Sequence, residues 1–168
     1  MIGVGTLLRD NPLLTVRYVK GKSPIRVIVD GSARTPPASR MFSAAPRVIV
    51  AVTNRASRKR VERLRRAGAH VLTVGKDRVN LRTLLTRLHR MGIRSILLEG
   101  GGGMNWSMIS NRLVDKINLT VAPIIIGGNN ATTLVDGEGI ARIKHAISLL
   151  PLRIRREGNE ILLSFKVK

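Results

Sequence analysis

Apolar residues along the chain fall into short β-branched runs separated by longer stretches with helical spacing. Ile25 to Val29 is the first such run and closes on Asp30-Gly31, which predicts a buried strand running into a loop. Thr35-Pro36-Pro37 keeps that loop irregular. Arg47 to Val52 repeats the pattern as a second strand. Ser57 is placed to cap a helix through about Ala67, with Val61, Leu64 and Ala67 on one side and Gly68 as the stop. Ala69 to Val74 predicts a third strand. Asn80 then caps a helix whose Leu81, Leu84, Leu85, Leu88 and Met91 follow the helical period, and Gly92 ends it. Ile93 to Leu98 predicts a fourth strand that delivers Glu99 and the glycines Gly100 to Gly103 to its C-terminal edge. A short helix with Trp106, Ile109 and Leu113 inward follows, and Lys116 to Val121 predicts a fifth strand.

Strands alternating with helices of this length imply right-handed crossovers and a mostly parallel central sheet flanked by helices, so the class is α/β. The C-terminus differs. Leu152 to Arg156 and Glu160 to Val167 flank Glu157-Gly158-Asn159, which predicts an antiparallel hairpin at the sheet edge. There is no internal repeat, and the glycine- and asparagine-rich segment Gly127 to Gly139 predicts a mobile loop near a site.

The 168 residues suit one domain, and 43% hydrophobic with 24% charged residues is the composition of a globular chain. No apolar run approaches the length of a membrane span, and no leader precedes Ile2. The absence of cysteine removes disulfides and thiolate metal sites; His70, His89 and His145 are scattered without ligand spacing, so no metal is expected and the cytoplasm is the expected compartment. Charge changes the picture more. Thirty Lys and Arg against ten Asp and Glu give a net charge of +20, which favours phosphorylated small molecules, nucleotides or nucleic acid as ligands. One Trp, one Tyr and two Phe leave little surface on which to stack single-stranded bases, so nucleic acid is expected to bind only non-specifically, through phosphates.

The glycine run Gly100 to Gly103 is the sharpest chemical signal. Between a strand and a helix, its unblocked backbone N–H groups and the helix N-terminus favour a phosphate or diphosphate. It matches neither a Walker loop nor the G-x-G-x-x-G register. Gly3-Val4-Gly5-Thr6, followed by Asp10-Asn11-Pro12, reads as a second small-residue turn. Glu99 stands at a parallel strand's C-terminal end, where open α/β sheets bind ligands. The seven cations from Arg55 to Arg66 read mainly as a solvated helix face; Arg55, beside Thr53, is the one placed to meet a cofactor's 2′-phosphate.

The segments GVGTLLRDNPLLTVR (3 to 17), PIRVIVDGSAR (24 to 34), ILLEGGGGMNWSMISNRLVD (96 to 115) and LTVAPIIIGG (119 to 128) occur in order. Together they resemble the riboflavin-biosynthesis reductases: the archaeal and fungal diaminohydroxyphosphoribosylaminopyrimidine reductases and the C-terminal domain of bacterial bifunctional deaminase-reductases. The resemblance implies a dihydrofolate-reductase-like fold and an NADPH-dependent oxidoreductase, usually a homodimer, that reduces the ribosyl chain of a phosphorylated aminopyrimidine to a ribityl chain. It implies cofactor contacts at Thr6, Asp10, Gly31, Thr53, Gly101, Gly102, Gly103, Met104, Asn105, Trp106 and Ser107. Leu14, Arg17 and Glu99 are the implied substrate contacts, with Glu99 also the candidate for a proton-transfer role. Aminated or deaminated pyrimidine and NADPH or NADH stay open as alternatives.

Members of that family usually carry a first strand with a Ser-x-Asp-Gly turn and a helix ahead of the GVGT motif. The expectation is therefore a single reductase domain over residues 1–168, N-terminally incomplete, with an unpaired sheet edge prone to association. Two rival readings accompany it: a basic nucleic-acid-binding protein, and a dihydrofolate-reductase-like enzyme for another pterin or pyrimidine.

Overall fold

Every residue of Val48–Val52 is buried, and this strand organises the molecule. In the computed structural model, which describes residues 1–43, 47–128 and 131–168, it is β3 of a four-stranded parallel sheet. The order is β1 (Ile2–Gly3), β2 (Arg26–Val29), β3 and β4 (Ala69–Thr73). Its side chains alternate between two cores. Val48, Val50 and Val52 pack with Ile2, Val4, Leu7, Ile28, Met41 and Leu64 on one face. Ile49 and Ala51 pack with Met1, Val27, Val74, Leu84, Leu88 and Met108 on the other. A strand covered on both faces reads as a continuous apolar run, as this one does.

The helices are α1 (Val4–Asp10), α2 (Arg58–Arg66), α3 (Leu81–Arg90) and α4 (Gly102–Ser110). The side chain of Asn80 caps α3, its Oδ1 accepting from the Thr83 N–H at 2.9 Å. Ser57 precedes α2 without a side-chain cap bond. Gly68 and Gly92 follow α2 and α3 at φ 91° and 86°, a conformation costly for any residue with a Cβ. Leu64, Leu84 and Leu88 are buried as their spacing predicts.

Several sequence expectations need correction. Gly3-Val4-Gly5-Thr6 is not a turn: β1 passes directly into α1, so Thr6 and Asp10 lie on a helix, and Asn11 ends it at φ 39°. In α4 the fully buried side chain is Met108, with Trp106, Ile109 and Leu113 only half-buried. Residues 93–98 form no regular strand. They run alongside Met1 with a single parallel rung, the Met1 amino group donating to the Leu97 carbonyl at 2.6 Å and the Glu99 N–H to the Met1 carbonyl at 2.9 Å.

The fifth expected strand belongs to another sheet. β5 (Lys116–Val121), β6 (Leu149–Glu157) and β7 (Glu160–Val167) form an antiparallel sheet in the order β5-β7-β6. The Glu157-Gly158-Asn159 hairpin is present, with β6 beginning at Leu149 rather than Leu152. β6 is exposed at every position. A groove of about 600 Å³ separates residues 93–98 from β5, lined by Leu85, Ile96, Leu98, Ile109, Ile117 and Leu119 among others. Of the loop Gly127 to Gly139, Asn129 and Asn130 lie outside the described residues; the rest is exposed and without regular structure.

Candidate active site

The parallel strands end along one edge, and the candidate residues collect there. Thr6 follows β1, Gly31 follows β2, Thr53 follows β3, and the glycine run follows residues 93–98. Ligands of open α/β sheets bind at the C-terminal ends of the strands, because the loops and helix N-termini face outward there. Thr53 is buried at 3% exposure, its N–H and hydroxyl both donating to the Gly31 carbonyl at 3.0 and 2.8 Å. A Cβ at Gly31 would stand 3.3 Å from the Thr53 methyl. The ends of β2 and β3 are thereby locked together.

Thr6 makes the corresponding lock at the other side. Its hydroxyl oxygen accepts from the Gly101 N–H at 3.0 Å, which closes α1 onto the glycine turn. A Cβ at Gly101 would stand 3.2 Å from that oxygen, and one at Gly100 would stand 2.9 Å from the Met104 Cβ. Packing thus disfavours a side chain at Gly100 and Gly101, and at Gly102 the Asp136 carboxylate fills the place of a Cβ. Gly103 is different: it is exposed, and a Cβ there meets nothing within 4 Å. The Gly102 and Gly103 N–H groups open α4, whose N-cap Gly101 offers no side-chain acceptor; among the described residues they have no partner. Free donors, a positive helix end and a bare backbone make this turn fit a diphosphate.

A cavity of about 470 Å³ lies over the turn, lined by Gly3, Gly5, Thr6, Arg9, Gly101 to Met104, Ala131, Thr132, Thr133 and Asp136. The rest of the α4 candidates flank it. Asn105 donates through Nδ2 to the Leu134 carbonyl at 2.8 Å, Trp106 packs against Gly137, and the Ser107 hydroxyl donates to the Gly103 carbonyl at 2.8 Å. The sequence reading missed Arg9 as a cavity wall, whereas the Gly127 to Gly139 loop, expected near a site, supplies Ala131, Thr132, Thr133 and Asp136 to its lining. Arg9 lies between Thr6 and Asp10 with no local pattern to mark it, while the glycine and asparagine content of the loop was the signal for its place near a site.

Other candidates lie outside this cavity. Asp10 is on the surface, paired with Arg9 at 3.1 Å. Leu14 is half-buried at φ 48°, against the core on the α1 side. Arg17 is exposed, its guanidinium 5.6 Å from the Tyr18 ring centre. Glu99 is exposed on the segment paired to Met1; burial lowers the Met1 amino pKa below its ordinary 8.0, and the Glu99 carboxylate partly opposes this. Arg55 is held in a surface ion pair with Asp77 at 2.6 Å. Arg58, Lys59 and Arg65 instead share a cavity of about 590 Å³ with Thr53, lined also by Glu62. No group of side chains suited to a metal ion occurs among the described residues.

A family described as the RibD C-terminal domain matches residues 1–163. The chain is 43% identical, over 100% of its length and 79% of the relative's, to a protein of Methanothermobacter thermautotrophicus named 2,5-diamino-6-ribosylamino-4(3H)-pyrimidinone 5′-phosphate reductase. It is 41% identical, over 99% of its length and 75% of the relative's, to a protein of the same name from Aquifex aeolicus. The solved structure of Acinetobacter baumannii RibD superposes with a TM-score of 0.84 at 22% identity, covering 99% of this chain and 46% of that one. The α/β fold is the dihydrofolate-reductase-like fold of RibD reductase domains. A family match over nearly all residues and relatives above 40% identity are decisive: the chain belongs to the RibD C-terminal domain family, the reductases of riboflavin biosynthesis.

Proposed function

We propose that this chain reduces the ribosyl side chain of 2,5-diamino-6-ribosylamino-4(3H)-pyrimidinone 5′-phosphate to the ribityl chain, with NADPH as reductant. The observation that carries the reading is the Thr6–Gly101 latch with the free N–H groups of Gly102 and Gly103 beside it, at the strand edge where Gly31 and Thr53 also lie. The bound nicotinamide supplies the hydride. The residues of the chain position rather than react: the glycine turn holds the diphosphate, Gly31 and Thr53 shape the neighbouring edge, and Asn105 to Ser107 brace the helix. Leu14, Arg17 and Glu99 are assigned to the substrate, Arg17 for its phosphate and Glu99 for the aminopyrimidine. NADPH is preferred to NADH in this reading because Arg58 and Lys59 line the cavity at Thr53, where a 2′-phosphate would be paired, while Arg65 is bridged to Glu62 there.

The reading includes a single reductase domain over residues 1–168, working in the cytoplasm as a homodimer. In support of the dimer, Leu152 and Ile154 on β6 are 52% and 72% exposed, and apolar surface of this kind is commonly covered by a second subunit. Mass measured in solution by light scattering tests it, and a monomer at all concentrations would overturn it. The activity is tested by following NADPH consumption with the ribosylaminopyrimidine phosphate and, separately, with dihydrofolate. Turnover of the first alone is expected. Turnover of the second alone would replace this assignment with another pterin reductase.

A further inference from the structure

An acidic side chain sits where an anionic ligand would be expected. The Asp136 carboxylate lies against Gly102 in the first turn of α4, so close that a Cβ on that glycine would collide with it. The Thr133 hydroxyl donates to the same carboxylate. Two further contacts fasten the segment to α4: Asn105 Nδ2 donates to the Leu134 carbonyl at 2.8 Å, and Gly137 lies on the Trp106 ring. Residues 131–137 are otherwise exposed and belong to no helix or strand. The chain has only 10 acidic residues against 30 Lys and Arg, yet one of them packs against the first turn of α4, beside a helix end that stabilises negative charge.

We propose that Asp136 is a built-in anion that packs beside the glycine cradle, without taking its N–H groups, when no ligand is bound, and that a dinucleotide diphosphate binds by displacing it. Residues 131–137 are then a gate on the cofactor site. The inference rests on the glycine turn being the diphosphate site. Two anions at one helix end repel each other, so the seated carboxylate and the diphosphate exclude one another. Displacing Asp136 moves Gly137 with it and uncovers the indole of Trp106. The observed ligand affinity is the intrinsic affinity reduced by the fraction of molecules whose gate is open. Because Asp136 is exposed to solvent, removing its charge shifts that balance by about two- to fivefold, the range for an exposed charge at a helix end.

Trp106 is the only tryptophan in the chain, so its emission reports the gate directly. The experiment is a titration of the 168-residue protein with ADP-ribose, which carries the diphosphate but no nicotinamide, read by calorimetry and by Trp106 fluorescence. Asp136→Asn is expected to bind about two- to fivefold more tightly than the parent. Without ligand, its emission should already be shifted towards that of the ligand-bound parent. Thr133→Val, which removes the carboxylate's hydroxyl partner, should shift both readouts the same way by less. Binding of ADP-ribose with unchanged affinity in Asp136→Asn and no change in Trp106 emission would overturn the gate while leaving the cofactor site standing. Failure of the parent and both variants to bind either ADP-ribose or NADPH would overturn the site itself, and the gate with it.

Discussion

The Thr6 hydroxyl accepts the Gly101 N–H at 3.0 Å across 95 residues of sequence, and this bond holds the glycine turn against the start of α1. Thr6→Val keeps the shape but leaves that N–H without its partner, at a cost of about 1–3 kcal/mol. The expected outcome is a lower Tm and about tenfold weaker dinucleotide binding (roughly 1.4 kcal/mol), with Thr6→Ser retaining both. Calorimetric titration and thermal unfolding of the two variants check it.

Gly103 separates stability from binding. A Cβ there meets no protein atom, and alanine is the better helix residue by up to about 1 kcal/mol. Gly103→Ala is expected to unfold at the same or a higher temperature while its KM for NADPH rises severalfold, because the new methyl enters the space assigned to the diphosphate. Unchanged KM would show that space to be unused.

The two helix starts differ in the same measurable way. Asn80→Ala removes the 2.9 Å bond to the Thr83 N–H and should cost about 1 kcal/mol in chemical denaturation, without altering KM. Ser57→Ala should change stability by only a few tenths of a kcal/mol, since Ser57 makes no side-chain cap bond.

Selection for the phosphorylated cofactor is expected to reside in α2. The double substitution Arg58→Gln with Lys59→Gln should raise KM for NADPH about tenfold and leave KM for NADH nearly unchanged, as loss of charge-assisted hydrogen bonds to one phosphate predicts. Arg55→Gln should do less, because Arg55 is already paired with Asp77. Steady-state kinetics with both cofactors decides between them.

The Met1 amino group is expected to make stability rise with pH. Its pKa in the folded chain lies below the ordinary 8.0, so the unfolded chain holds more protons in the interval between the two values. Stability therefore increases as pH rises through that interval up to about 8 and is flat beyond it, as far as this group is concerned. Acetylating the amino group should remove this contribution, as denaturation midpoints measured against pH would show.

Much of the fold was legible because its causes are local. Five apolar residues in succession at Val48–Val52 mark a strand covered on both faces, and the spacing of Leu84 and Leu88 marks the buried side of α3. Residues 93–98 are apolar at Ile93, Ile96, Leu97 and Leu98, yet among the described residues their backbone pairs only with Met1, which is too little for a regular strand. Lys116–Val121 was readable as a strand but not as a member of the antiparallel sheet, because its partner β7 lies some forty residues later in the chain. The glycine turn was legible as the start of a helix with bare N–H groups, since four glycines in succession cost backbone entropy that packing alone does not offset.

By itself, the sequence determined the α/β alternation, the family, and the order of the motifs along the chain. The tertiary structure alone decided which of those residues meet. It put Thr6 on Gly101, withdrew Arg55 into an ion pair with Asp77, and seated Asp136 from a distant loop against Gly102. The reason is physical. Strands and helices are set by periodicities a few residues long, whereas a site is assembled by contacts between segments whose separation leaves no trace in local spacing.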